Sequence, residues 1–404
     1  MAASTTLAVV DTILKEVYED RIRDQLQSEV VTLKRIEKSG EGVTHEVGGK
    51  YVTFPIRTRR NHGIGARNEN EALPDPRSQK YATARVGLKY LYGAVSLTGQ
   101  TFELAEKNHQ AFASALSQEM DGLKQTLVKD TNRQMYGVST GVMATIPAGS
   151  AGAGFDHTVD SVQYLEVGMI VDVLDSTGAT TRVEEAEISA INTTTKVVTF
   201  SKSFDSSNND IVTRWRSYGK EKIGFKEIIS DSGTLYNINP TTEPVWKSVV
   251  NSNAGVNRAL SEGLMIKMVD DIRTNGGKTT VIFTTLGVRR SYFNLLVQQR
   301  RYTNTQSFEG GFNGLAFTTD TGDIPLVADF DCQPNRMYFV NEKEIKLYEA
   351  NDWSFMNRDG SNWQRVITAE GNFDAYQATM YKYCEVGTHR RNSHGLISDV
   401  TEAA

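Results

Sequence analysis

The spacing of apolar residues changes several times along the chain, and each change predicts a different element. From residue 6 to 27, Leu7, Val10, Ile13, Leu14, Val17 and Leu26 recur near helical spacing and predict an amphipathic helix. Between 43 and 96 the period drops to two. Val52, Phe54 and Ile56 alternate with Tyr51, Thr53 and Pro55; later Val86, Leu88, Tyr90 and Tyr92 alternate with Gly87, Lys89, Leu91 and Gly93. This pattern predicts the two arms of one long β-hairpin. The stretch between them, "RTRRNHGIGARNENEALPDPRS", is too polar to bury and too long for an ordinary turn. A ribbon with so little core of its own is marginal alone, so it is expected to rest on something else, for instance another subunit.

A helical stripe follows. Phe112, Leu116, Met120, Leu123 and Leu127 lie on one face of a helix predicted from about Thr101 to Met135, with Gly137 as its stop. At 1.5 Å per residue it would run roughly 50 Å, a strut rather than an ordinary helix. Residues 138–218 are rich in Gly, Ser, Thr and Ala, with short runs such as "MIVDVLD" and "KVVTFSK" between turn signals. They predict a small antiparallel barrel or sandwich, inserted into the rest. From Lys220 the pattern is mixed. A helix is expected over Pro244 to Thr274, closed by "NGG"; then a strand "TTVIFTT", a helix "LGVRRSYFNLLVQQRRY", and strands within "GDIPLVADFDCQPNRMYFVN" and "EIKLYEA".

Composition narrows the classes. The chain has 404 residues, 39% hydrophobic and 23% charged, which fits a folded globular protein rather than a disordered one. No apolar run approaches the ~18 residues that cross a bilayer, so no membrane is expected. Its start, "MAASTTLAVVDTILKEVYED", lacks the basic region of a signal peptide. Cys332 and Cys384 are too few for a disulfide framework. The net charge of −5 gives no basic excess for gripping phosphates, so a nucleic acid nearby would be enclosed or repelled rather than tightly bound.

Candidate chemistry is sparse. Asp329, Asp331 and Cys332 sit together between two apolar runs. A cysteine nucleophile needs a base and an oxyanion hole, and the sequence supplies neither. Asp331, Pro334 and Asn335 are turn residues, so the stretch reads as a turn joining two strands, with Asp329 and Asp331 capping it or solvating its rim. "NGGKTT" contains Gly-Lys-Thr, but Ile272 stands where a phosphate loop needs its first glycine, and helix precedes strand. A helix C-terminus is expected there. His45, His62, His109, His157, His389 and His394 are scattered, and His389 and His394 are expected to be exposed. No catalytic, cofactor-binding or metal-binding residue is predicted, and no enzyme.

Charge is organised at one place. Arg57, Arg59, Arg60 and Arg67 precede Glu69, Glu71 and Asp75, and Arg77 and Lys80 follow. Such a cluster can be plain solvated surface. Segregated blocks on a projecting ribbon suit pairing with complementary patches on neighbouring copies, which makes Arg57, Arg59, Arg60, Arg67, Glu69, Glu71, Arg77 and Lys80 the candidate contact residues.

The order of parts, together with "YLYGAVSLTGQTFELAE", "VIFTTLGVRRSYFNLL" and "GDIPLVADFDCQPNRMYFVN", resembles the major capsid protein of tailed bacteriophages, the HK97-like family. The resemblance spans nearly the whole chain except 138–218. It implies an α+β fold with an N-terminal arm (1–42), an extended β-hairpin loop (43–96) and a peripheral-domain spine helix (97–137). An inserted β-rich domain (138–218) would follow, then an axial domain with returning peripheral strands (219–404). It further implies a shell of hexamers and pentamers around double-stranded DNA, bound without sequence specificity. Portal, scaffolding and decoration proteins would be the partners, and the virion, assembled in the host cytoplasm, the location. No fused scaffold and no cleavage of one are expected. Some relatives cross-link a loop lysine to a distant asparagine; Lys50 and Lys80 lie in the loop, but no asparagine can be matched to them. The alternative is an encapsulin-like nanocompartment shell protein, whose relatives are shorter and lack the insertion.

Overall fold

A central strand with both faces buried ties the molecule together, and the computed structural model shows how the sequence reaches that arrangement. It describes residues 29–38, 43–44, 51–98, 109–300, 316–320, 322–357, 364–368 and 371–403. The helix predicted over 6–27 and the first turns of the one predicted from Thr101 lie outside them.

The chain opens with α1 (Thr32–Lys38), β1 (Val43–Thr44), β2 (Tyr51–Arg59), β3 (Lys80–Gly87), β4 (Lys89–Thr98) and α2 (His109–Tyr136). Six strands follow: β5 (Val142–Thr145), β6 (Ala153–Thr158), β7 (Ile170–Leu174), β8 (Thr181–Asn192), β9 (Val197–Asp205) and β10 (Ile211–Arg214). Next come α3 (Phe225–Ile228), β11 (Val249–Asn251), α4 (Glu262–Thr274), β12 (Val281–Thr284) and α5 (Leu286–Arg300). The last strands are β13 (Ala316–Thr319), β14 (Gly322–Ala328), β15 (Met337–Val340), β16 (Ile345–Phe355), β17 (Gln364–Thr368), β18 (Gly371–Thr388) and β19 (Gly395–Ile397).

Among the described residues these strands form three larger sheets and the β2–β3 ribbon. The first sheet runs β1-β16-β18-β17, with β4 also on β18. The second runs β5-β10-β7-β8-β9-β6, its neighbouring strands antiparallel, within residues 142–214. The third runs β11-β19-β15-β12-β14-β13. On β12, Val281 and Phe283 face a core shared with α1, the end of α2, α3 and the first sheet. Ile282 faces the opposite core, built by Met265, Met268 and Ile272 of α4 and Val288 and Tyr292 of α5. Burial on both faces explains why this strand reads as a continuous apolar run rather than an alternation. The second sheet closes on its own core around Val171, Val173, Ile188, Val198 and Phe200.

Two sequence expectations need correction. The ribbon ends at Gly87. Strand β4 leaves it and pairs antiparallel with β18 from Lys89 opposite Cys384 to Thr98 opposite Ala375, so Tyr90 and Tyr92 belong to the body. The helix expected over Pro244 to Thr274 is a short 3-10 turn at Pro244–Trp246, then β11, and only then α4, capped by the Ser261 side chain accepting from the Leu264 N–H. Between them Ala254 and Gly255 take positive φ and Val256 is exposed, so its helical spacing was coincidental. The turn expected between two strands in "GDIPLVADFDCQPNRMYFVN" is present, joining β14 to β15, but these two do not pair with each other. Both flank β12, β14 parallel and β15 antiparallel to it, so the chain between them crosses over rather than making a hairpin turn.

Two glycines separate close packing from mere flexibility. A Cβ on Gly224 would lie 2.4 Å from the Gln134 carbonyl oxygen and 2.6 Å from that of Gly137, whereas one on Gly122, mid-α2, would meet nothing within 4 Å. Gly224→Ala is therefore expected to destabilise by about 2–3 kcal/mol, and Gly122→Ala to stabilise by somewhat under about 1 kcal/mol. Urea unfolding of both variants checks the contrast.

Candidate assembly surface

The ribbon has two unlike faces, set by its register. Val52 pairs with Val86, Phe54 with Ala84 and Ile56 with Ala82. Ala84 and Val86 are fully buried, and Val52, Phe54, Ile56 and Ala82 pack against the core. The Phe54 ring meets His389 edge-on, with centroids 4.7 Å apart. On the open edge of β3, the Arg85 N–H donates to the Tyr236 carbonyl at 3.0 Å. Tyr236 itself takes φ 51, and its hydroxyl is fixed by the Val386 carbonyl at 2.7 Å. The paired half of the ribbon thus rests on its own body. The expectation that it leans elsewhere is corrected for this half, because the inner face carries enough apolar side chain to bury itself.

The other face and the tip are different. Tyr51, Thr53, Pro55, Arg57, Tyr81, Thr83 and Arg85 point outward, and residues 60–79 are exposed except for half-buried Gly63 and Pro74. The tip is shaped by short-range hydrogen bonds: Gly63 N–H to Asn61 Oδ1, Asn68 N–H to Glu71 Oε2, and Arg67 Nε to the Ala72 carbonyl at 2.7 Å. Pro74 and Pro76 remove further backbone freedom.

Arg57, Arg59, Arg60, Arg67, Glu69, Glu71, Asp75, Arg77 and Lys80 are all exposed, and the ribbon gathers them at one end. Two have internal duties, Arg67 and Glu71 holding the tip's shape. Lys80 is tied to Glu243 on the body, and Glu243 is held below the usual carboxylate range, mainly by that hydrogen bond and then by Thr58. Lys80 is therefore an anchor at the ribbon's base. Sequence reasoning missed Ile64 and Leu73, 81% and 83% exposed, the barest of the exposed large hydrophobics among the described residues. The available signal was two large aliphatics inside an otherwise polar loop.

The other candidates resolve into structure. Asp329 and Asp331 are buried rather than on a solvated rim, because the segment crosses beneath α2 instead of turning in solvent. Asp329 accepts from the Thr32 N–H and hydroxyl and from the Asp331 N–H. Burial and the adjacent Asp329 push the Cys332 thiol well above its ordinary value, the opposite of what a nucleophile needs. His394 is also buried, not exposed: Nδ1 accepts from the Asn341 N–H, Nε2 contacts Thr388 Oγ1, and burial lowers it to about 3. His389 is half-buried, its Nε2 2.8 Å from the Tyr348 hydroxyl. "NGGKTT" ends α4, with Gly276 at φ 81 and its N–H on the Arg273 carbonyl. Gly137-Val138-Ser139-Thr140-Gly141 has the spacing of a hydrolase nucleophile elbow, so a sequence reading that finds no serine in a Gly-x-Ser-x-Gly stretch is corrected. The stretch leads from helix α2 to strand β5, the reverse of that motif's order, and the Ser139 N–H donates to Glu227. Among the described residues no group of three His, Cys, Asp or Glu side chains could hold a metal.

A family model described as the SU10 major capsid protein matches residues 117–401. No curated protein matches the chain in sequence. Among solved structures, a chain of the Cyanophage A-1(L) capsid asymmetric unit superposes with a TM-score of 0.61 at 13% identity, over 98% of this chain and 100% of that one. A chain from the capsid of a native GTA particle gives 0.52 at 9% identity, over 99% and 100%. One from Mycobacterium phage Bobi gives 0.50 at 9%, over 98% and 99%. At such identities the likeness is one of fold.

The anchoring of the ribbon is testable in isolation. Phe54→Ala should cost about 3 kcal/mol and raise tryptic cleavage after Arg57 and Arg59, with far-UV circular dichroism unchanged. Unaltered cleavage kinetics would show that the inner face does not hold the ribbon down.

Proposed function

Because this chain belongs to the SU10 major capsid protein family, within the HK97-like capsid proteins, we propose that its copies assemble into hexamers and pentamers of an icosahedral head shell around double-stranded DNA. It is a structural capsid protein by family. The observation that carries the proposal is the ribbon tip. It presents basic and acidic blocks and two bare aliphatic side chains beyond the anchored half of the ribbon.

In this reading residues 1–42 are an arm and the ribbon is the extended loop reaching onto a neighbouring copy. Helix α2 is the peripheral spine, residues 138–218 are an inserted domain, and the third sheet with α4 and α5 forms the axial part. The loop's boundary moves from 96 to 87, since β4 belongs to the first sheet. Burying a side chain such as Ile64 or Leu73 against a neighbour is worth about 1.5–3 kcal/mol each. Charge pairing around them would set register and exclude wrong docking more than add affinity. Every copy both gives a tip and receives one, so modest contacts multiply around a closed shell. The net charge of −5 suits a wall that encloses DNA without holding it. Portal, scaffolding and decoration proteins are the partners this assembly calls for, with assembly in the host cytoplasm and the virion as destination.

The test is charge reversal at Arg59 and Arg60. The double variant R59E/R60E is expected to keep the wild-type unfolding midpoint and to lose most particles in negative-stain micrographs. Normal particle yield would reduce the basic block to solvated surface. In parallel, Ile64→Ser with Leu73→Ser should leave monomer stability within about 0.5 kcal/mol while raising the protein concentration at which particles first appear.

A further inference from the structure

Three of the exposed large hydrophobic side chains, Val167, Ile170 and Trp215, line one groove of about 430 Å³ where the 142–214 sheet meets α2. Local structure puts them there. Val171 on β7 belongs to the sheet's own core, which leaves its neighbour Ile170 on the outside. Trp215 follows β10 directly, and its N–H donates to the Ile170 carbonyl at 3.2 Å, so the two residues stand side by side. Thr126 is the contribution of α2 to the groove. Two ion pairs hold sheet and helix together beside it, Lys129 to Glu166 at 3.5 Å and Arg214 to Asp130 at 3.1 Å. The groove is therefore preformed.

The ribbon tip carries a matching knob. Ile64 and Leu73 are bare, and an added Cβ on Gly63 would lie 2.7 Å from the Asp75 carbonyl oxygen, so the two arms of the tip run close together around them. A groove of this size has room for both aliphatic side chains. Resting on the shell reading above, in which the tip reaches another copy, we infer that this groove is the receptor for the ribbon tip of a second copy. Ile64 and Leu73 are then buried against Val167, Ile170 and Trp215.

Charge fits the same pairing. Arg214 lines the groove and Arg216 lies over it, its guanidinium carbon 4.9 Å from the centre of the Trp215 ring. Their Nε groups donate to Asp130 and Glu184, each at 3.1 Å. Among the described residues neither arginine hydrogen-bonds through its terminal nitrogens, which leaves those N–H groups for an outside acceptor. On the tip, Glu71 is spent on the Asn68 N–H, while Glu69 and Asp75 are exposed carboxylates close in sequence to Leu73. A groove with an exposed Trp at its centre and Arg at its edge is the composition of a specific protein contact, where those two residue types carry most of the energy. Tip and groove are different surfaces of the same chain, so the contact is heterologous and closes rings of copies rather than isolated pairs.

The test assembles two purified full-length variants together, Leu73→Cys and a mass-tagged Val167→Cys, and oxidises the particles with copper phenanthroline. Both positions are exposed, so folding is little affected, and the native Cys332 and Cys384 are buried away from the reagent. A disulfide-linked mixed dimer is expected on a non-reducing gel, absent when either variant is assembled alone. Particles without that dimer overturn the inference and leave the shell reading standing. Wild-type chains that form no particles remove the shell reading, and this inference with it. An introduced thiol at position 167 that is shielded from maleimide in particles, yet not linked to position 73, assigns the groove to another occupant and equally overturns it. A second variant needs no cross-link. Val167→Glu sets like charge against Glu69 and Asp75, and should keep the wild-type unfolding midpoint while raising the concentration at which particles first appear about tenfold. An unchanged concentration counts against the groove as receptor.

Discussion

The dry junction at Asp329 is the constraint on which the rest of the molecule depends. A carboxylate 1% exposed is tolerated only where hydrogen bonds replace its lost water, and here the donors come from residue 32, from α2 and from its own turn. That requirement fixes how α1 crosses α2 and how both sit on the end of β14. It also sets where the 142–214 sheet docks, because Gln163 Nε2 donates to the Phe330 and Cys332 carbonyls beside Tyr164. Satisfied polar junctions of this kind specify geometry more sharply than apolar contact alone, since a small displacement leaves a charge unpaired.

The same device recurs. Arg391 is buried with carbonyl oxygens rather than a carboxylate as partners, donating to Glu227, Ile228, Ser232 and Gly233, and remains a cation although burial lowers it to about 10. It gathers the loops after α3 against the 3-10 turn at Arg391–Ser393. Asp130 performs a similar task on α2, where Arg133 and Arg214 hold it far below the carboxylate range against its burial and attach β10 to the helix. The body is thereby made stiff by tertiary ties, and the ribbon extends from it. A tip that must meet another molecule benefits from a rigid base, because less conformational freedom is then lost on contact.

Legibility in the sequence followed the physics of each element. The alternation of Val52, Phe54 and Ile56 exposed the ribbon because one face is buried and one is wet, the condition under which period two is visible. The long stripe through Leu123 and Leu127 exposed α2, and the Gly- and Ser-rich change at 138 exposed the insertion. The charged tip was legible because, among the described residues, no ion pair neutralises most of it. Ile64 and Leu73 were not singled out, since two aliphatics within a polar loop carry no period. Val249, Val256 and Leu260 mimicked a helix because chance spacing over three residues is common, and positive φ at Ala254 and Gly255 leaves no trace in apolar pattern.

Local order was therefore set by the sequence: which runs become strands, where α2 lies, and that the tip is charged and bare. Each of these depends on residues near one another in the chain, whose side-chain period and turn chemistry act at short range. Partnership was decided only in three dimensions. Whether β4 returns to the ribbon or joins β18, whether β14 pairs with β15 or flanks β12, and whether Asp329, Asp331 and His394 are wet or buried all depend on segments tens to hundreds of positions apart. Strand edges offer the same N–H and C=O groups to every candidate neighbour. The choice among them is made by which pairing buries the opposite faces and leaves no polar group unsatisfied, a sum over the whole fold that no local window contains.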